Sequence, residues 1–126
     1  MTANDSMATL IDPDFRARLR ALNEKYAAGV PALMQAIAGA QARCNSEGPR
    51  LEPLTALHHA LHAVAGSAAT FGFAALGQEC RRIEQLVRVL LNEPGNILAQ
   101  WPLLDSQVSA LLRWAQADAA ATHFNA

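Results

Sequence analysis

Nowhere in this sequence do apolar residues run for the roughly 18 positions that a membrane-spanning helix needs, and the N-terminus has no basic-then-apolar secretory signal. A cytoplasmic location is the expectation. Cysteine is almost missing: Cys44 and Cys80 stand far apart and outside any CxxC-type metal spacing, so both are expected to be reduced packing residues. An excess of charge of one sign is missing too. A formal net charge of -1 and no sustained basic block argue against a nucleic-acid or anionic-membrane surface, which leaves proteins or small molecules as partners. β-branched residues are sparse and show no period-two alternation, so strands are not expected. There is no glycine-rich phosphate loop or nucleotide signature, and the chain is not expected to use ATP by itself.

What is present is alanine and leucine in helical patterns, within a 52% hydrophobic fraction. The 126 residues fit one domain able to bury a core without metal or disulfide support. Residues 1–9 are small and polar and are expected to be disordered; a helical bundle is expected over 10–122, and 123–126, with His123, form a frayed tail with no assigned role. Leu10 and Ile11 precede Asp12-Pro13, a capping residue followed by a proline suited to a first helical position. Phe15, Leu19, Leu22 and Tyr26 begin an apolar pattern that Leu33, Met34 and Ile37 extend to about Cys44, with a kink expected at Gly29-Val30-Pro31. Asn45 to Pro49 reads as a loop. A second helix begins near Leu51 and is expected to close at Gly72 in the left-handed conformation. Leu76, Cys80, Ile83, Val87 and Leu90 mark a third, from about Phe73 to Leu91. After a turn at Asn92 to Asn96, a last helix has Trp101, Leu104, Val108, Leu111, Leu112 and Ala115 facing inward, Pro102 near its start, and fraying after about Ala121. The class is all-α, an antiparallel up-and-down four-helix bundle.

The second helix carries the chemistry. Leu54, Leu57, Leu61, Val64, Ala68 and Phe71 form one buried stripe. With His62 at zero on a wheel of about 100° per residue, His58 and Gly66 fall within about 40°, Ala69 closer still, and His59 and Ala65 about 60° to either side. A histidine thus stands among small residues at the edge of the stripe. A lone histidine there is more often a hydrogen-bonded boundary residue than a catalyst. Glycine inside a helix costs roughly 1 kcal/mol against alanine, so Gly66 asks for a reason such as close approach of another molecule.

At these residues the chain resembles the histidine-containing phosphotransfer (HPt) domain family. His62, Val64, Gly66, Ser67 and Gly72 match its signature of a histidine, an apolar residue two on, Gly-Ser four on, and a second glycine about six residues after the first. Leu76, Cys80 and the pair Ile83-Glu84 match its next helix. The likeness covers most of the chain, with the specific part between about residues 57 and 88. One position departs: where the family commonly has lysine, three residues after the histidine, stands Ala65.

The resemblance implies that His62 accepts a phosphoryl group from the aspartyl phosphate of a response-regulator receiver domain, whose bound Mg²⁺ serves the transfer, with a hybrid histidine kinase as a further candidate partner. The chain itself is then a phosphocarrier without a cofactor of its own, not an autonomous kinase, and a monomer. Imidazole suits this, because its reference pKa of about 6.5 leaves most of it neutral and nucleophilic near pH 7. Gly66, Ala65 and Ala69 would keep the approach clear. His58, His59 or Arg88, the last preferred over Arg81 and Arg82, would supply the charge that a lysine at 65 does not. Ser67 belongs to the matched motif, or simply bonds the preceding turn's carbonyl. Two other readings remain: a docking bundle that is not phosphorylated, and a metal site built on His58 and His62 with Glu79 or Glu84.

Overall fold

Asp12 opens the first helix: its Oδ1 accepts the backbone N–H of Phe15 at 2.6 Å, and Pro13 takes the first helical position, where a missing N–H costs nothing. The computed structural model describes residues 12–125, so the expectations for 1–9, Leu10 and Ile11 lie outside the described residues. Helix α1, Pro13–Ser46, runs unbroken through Gly29-Val30-Pro31. Pro31 removes one backbone bond, to Ala27, and the turns on either side carry the helix across it.

The expected inward stripe of α1 holds only in part. Phe15, Leu19 and Leu22 are 46%, 43% and 52% exposed, and full burial begins at Val30, followed by Ile37, Ala40 and Cys44. The reason is length. With 34 residues α1 extends about 51 Å, while α2, Leu51–Ser67, has 17 and spans about half of that, so the first turns of α1 overhang the bundle.

Helix α2 buries Leu54, Leu57, Leu61 and Val64 completely, and Ala68, just beyond it, is buried as well. It does not run to Gly72 as an α-helix. At Ser67 it tightens into a 3-10 turn, Ala68–Phe71, and Gly72 then takes φ 92°, the left-handed turn in which glycine carries no Cβ penalty. Tyr26 of α1 stacks on Phe71 with ring centroids 4.8 Å apart, which leaves Phe71 half-buried at this end of the bundle.

Helix α3, Ala74–Asn92, returns antiparallel, with Leu76, Cys80, Ile83 and Val87 fully buried. A Cβ on Gly77 would stand 3.3 Å from that of Ala68, so the closest approach of the hairpin depends on this glycine. After the 3-10 turn Pro94–Asn96, helix α4, Ile97–Asp118, contributes Trp101, Leu104, Val108, Leu111 and Ala115 to the core, with Leu112 partly buried and Pro102 as its sixth residue. Beyond the helix, Trp114 Nε1 donates to the His123 carbonyl at 3.0 Å, and the Trp114 ring meets Phe124 edge-on at 5.3 Å.

Contacts run α1 to α2, α2 to α3, α3 to α4 and α4 back to α1, the closed ring of an up-and-down four-helix bundle. Gln41 of α1 fastens the closure by donating to Asp105 Oδ1 at 2.7 Å and to Ser109 Oγ at 2.8 Å on α4. Cys44 and Cys80 are free and fully buried, and burial pushes their thiols up to about 11 and about 12.

Candidate functional site

The hairpin sets side chains of α2 against side chains of α3 one turn at a time. His62 meets Glu84, Ala65 meets Arg81, and the 3-10 turn at Ala68 and Ala69 meets Gly77. This follows from the two apolar stripes. Leu57, Leu61 and Val64 must face Leu76, Cys80, Ile83 and Val87 in the core, and the residues flanking those stripes then line up along one edge.

Glu84 is the centre of that edge. Its side chain is 5% exposed, yet it is a carboxylate, and such a group is tolerated inside a protein only when paired. One oxygen, Oε1, has three nitrogen neighbours: His62 Nδ1 at 2.7 Å, His58 Nε2 at 3.3 Å and Arg88 Nη2 at 3.3 Å. The His62 and Arg88 contacts are hydrogen bonds. His58 approaches Oε1 out of line, leaving its buried Nε2 without a hydrogen-bond partner, and desolvation, the largest influence on this ring, lowers its pKa below the usual histidine value. The His58 and His62 rings lie nearly parallel, 6.0 Å apart.

An ionised carboxylate only accepts, so the 2.7 Å contact assigns the proton of neutral His62 to Nδ1. The lone pair is then on Nε2, at the opposite edge of a ring whose side chain is 65% exposed. An oriented neutral imidazole with its free nitrogen on the open side is chemically able to act as a nucleophile. The approach is open: a Cβ at Gly66 would meet nothing within 4 Å, and Gly66 and Ala69 are both exposed.

The other residues singled out in the sequence fall differently. Ala65 is 7% exposed and packs toward α3, so it belongs to the hairpin seam rather than to the approach. Its helical direction, about 60° to the α3 side of His62, carries it under the neighbouring helix. Ser67 Oγ donates to the Ala63 carbonyl at 2.8 Å and meets Tyr26 Oη at 2.9 Å, which ties α2 to α1. His59 is exposed and meets the His58 ring edge-on at 6.0 Å. Arg88 reaches the site through Glu84, with its charge already balanced there. Glu79 is buried and paired with Arg82.

Among the described residues, no group of three or more His, Cys, Asp or Glu side chains is placed to hold a metal ion. At 2.7 Å, His62 Nδ1 and Glu84 Oε1 are in direct hydrogen-bond contact, closer than two ligands spread around an ion at about 2.0–2.1 Å from each. The apolar groove between α1 and the end of α4, lined by Val30, Met34, Phe73 and Leu112, does not include His62. The histidine stands on an open face, outside that groove.

Two residues of this edge carry more than their sequence signals suggest. In the sequence Glu84 stands out as half of an apolar-acidic pair and as a possible metal ligand, and Arg81 as a less favoured source of charge than Arg88; their side of the hairpin emerges once the two stripes are set face to face. Comparison with protein-family models finds that of the Hpt domain matching residues 14–120. Neither the curated proteins nor the solved structures contain a match to the chain.

Proposed function

The chain belongs to the Hpt domain family, and on that premise we propose that His62 accepts a phosphoryl group at Nε2 from the aspartyl phosphate of a response-regulator receiver domain and passes it on to a second acceptor. Hpt domains serve histidine phosphotransfer in two-component systems and are phosphocarriers rather than enzymes. The observation that carries the assignment to His62 is the 2.7 Å contact of its Nδ1 with the buried Glu84, which frees the exposed nitrogen for attack.

The chemistry balances with no proton to relocate. The Nε2 lone pair forms the N–P bond as the P–O bond to the receiver aspartate breaks, and that aspartate leaves as a carboxylate. The ring, still protonated on Nδ1, becomes a phosphoimidazolium, and Glu84 lies against the positive charge that develops. Return of the group to an aspartate reverses each step. Phosphoryl transfer asks for in-line positioning and neutralisation of spreading charge. The receiver brings its phosphate and Mg²⁺, and this chain brings an oriented ring and an unobstructed approach over Gly66 and Ala69.

Among the described residues no helix is long and apolar enough to cross a membrane, and we take the relay to operate on the cytoplasmic side, where a receiver can reach it. The test is incubation of the purified chain with a phosphorylated receiver and Mg²⁺, followed by mapping of the label by mass spectrometry. Acid-labile, base-stable phosphate on His62, absent in His62→Gln and present in His58→Gln and His59→Gln, is the expected result. Absence of label from a panel of receivers would point to a docking bundle that is not phosphorylated, and label on His58 or His59 would move the acceptor.

A further inference from the structure

We infer that Arg81 is the residue that binds the phosphoryl oxygens once His62 is modified. The inference rests on the phosphocarrier reading above and adds to it the source of positive charge.

Phosphorylation brings up to two negative charges to Nε2, beside a Glu84 whose own charge Arg88 already balances. The imidazolium offsets one of these. The remainder calls for a cation that is not already neutralised, and the three arginines of α3 differ in that respect. Arg88 donates to Glu84 Oε1, and Arg82 donates to Glu79. Arg81 has no carboxylate partner among the described residues; its Nη2 donates to the neutral carbonyl of Ala65 at 3.2 Å.

That anchor places the guanidinium on the correct edge of the hairpin. Ala65 lies three residues beyond His62, about 4.5 Å along the α2 axis. It is the turn on the far side of His62 from Arg88 and His58, so Arg81 and Arg88 bracket the histidine from its two ends. A guanidinium presents five N–H donors in a planar fork that fits two phosphate oxygens at once. Leaving a neutral carbonyl for a phosphoryl dianion is a favourable exchange for it, whereas Arg88 would have to give up a buried carboxylate. Ala65 carries only a methyl, so no longer side chain at that position competes for the space.

The test uses the full chain in four forms, wild type, Arg81→Gln, Arg81→Lys and Arg88→Gln, each phosphorylated both from a receiver and chemically with phosphoramidate. The readouts are phosphohistidine lifetime, equilibrium labelling against the receiver, and the ³¹P shift of the phosphoryl group as pH is varied. The expected result for Arg81→Gln is unchanged helicity and unchanged placement of the label on His62, with equilibrium labelling lowered roughly fivefold to tenfold, the scale of the difference between one charge-assisted pair and the neutral carbonyl bond it replaces. The ³¹P titration should move to higher pH in Arg81→Gln, because the dianion has lost its cation, and Arg81→Lys should recover part of both effects. Arg81→Gln behaving as wild type in labelling and in the ³¹P titration would overturn the inference, as would Arg88→Gln alone producing these changes. If neither the receiver nor phosphoramidate labels His62 in the wild-type chain, the phosphocarrier reading itself falls and the role of Arg81 with it.

Discussion

Replacing Glu84 with glutamine changes one atom of a carboxylate and tests whether its charge, rather than its shape, prepares His62. The glutamine carbonyl can still accept the Nδ1 proton at the present 2.7 Å, so the ring should keep its orientation and Nε2 its lone pair. What is lost is the charge facing an imidazolium in the phosphorylated state. A charge-assisted hydrogen bond contributes about 1.5–3 kcal/mol and a neutral one about 0.5–1.5. Because the His62 side chain is 65% exposed, solvent screens part of that difference, and the low end, about 1 kcal/mol, applies. The phosphorylated form should therefore be disfavoured about fivefold in its equilibrium with a phosphorylated receiver. Glu84→Ala should do worse, since it removes the acceptor altogether, frees the ring to turn, and leaves Arg88 without its partner. The assay is labelled phosphoryl exchange with one receiver at fixed Mg²⁺, run to equilibrium from both directions. Equal labelling of wild type, Glu84→Gln and Glu84→Ala would refute the reasoning, because the 2.7 Å contact would then have no bearing on the chemistry.

Gly66→Ala should raise stability by up to about 1 kcal/mol in thermal or urea melts, as the added methyl meets nothing and alanine favours the helix; Gly66→Trp should fold as well yet slow phosphoryl uptake by crowding the approach. His58 is held below its ordinary pKa by burial, so the unfolded chain binds the extra proton more readily. Its stabilising contribution is present above about pH 6.5 and is lost as pH falls through that value toward the lower folded one. His58→Gln should flatten the fall in urea midpoint between about pH 7 and 5. Leu61→Ala, at a fully buried position, should cost roughly 2–5 kcal/mol, while Leu19→Ala on the overhanging part of α1 should cost less than about 0.5 kcal/mol in the same melts.

The helices were legible because their stripes are regular. Leu54, Leu57, Leu61 and Val64 on α2, and Leu76, Cys80, Ile83 and Val87 on α3, repeat at steps of three and four, and all are fully buried. The same rule misread Phe15, Leu19 and Leu22, whose spacing is just as regular; period reports which residues share a face, not whether another helix is long enough to cover it. Glycine shows the same limit. The sequence draws attention to Gly66, in the middle of a helix beside a histidine, but close helix packing falls at Gly77, a position set by how α3 settles against the 3-10 turn. His62 could be found from its own neighbours in sequence. Glu84 could not be assigned its place from α3 alone, since its contact with His62 spans 22 residues and depends on the register of the whole hairpin. Ala65 lay at the right angle on the wheel and on the wrong side of it, because a wheel does not say where the next helix will pack.

The central claim, that Glu84 holds His62 so that Nε2 takes the phosphoryl group, is tested most directly by long-range ¹H–¹⁵N and ³¹P NMR of the ¹⁵N-histidine-labelled chain before and after phosphorylation. The account predicts that neutral His62 carries its proton on Nδ1, and that after phosphorylation phosphorus couples to Nε2 of the same ring while Nδ1 stays protonated. Phosphorus bonded to Nδ1, or to the ring of His58 or His59, would contradict it.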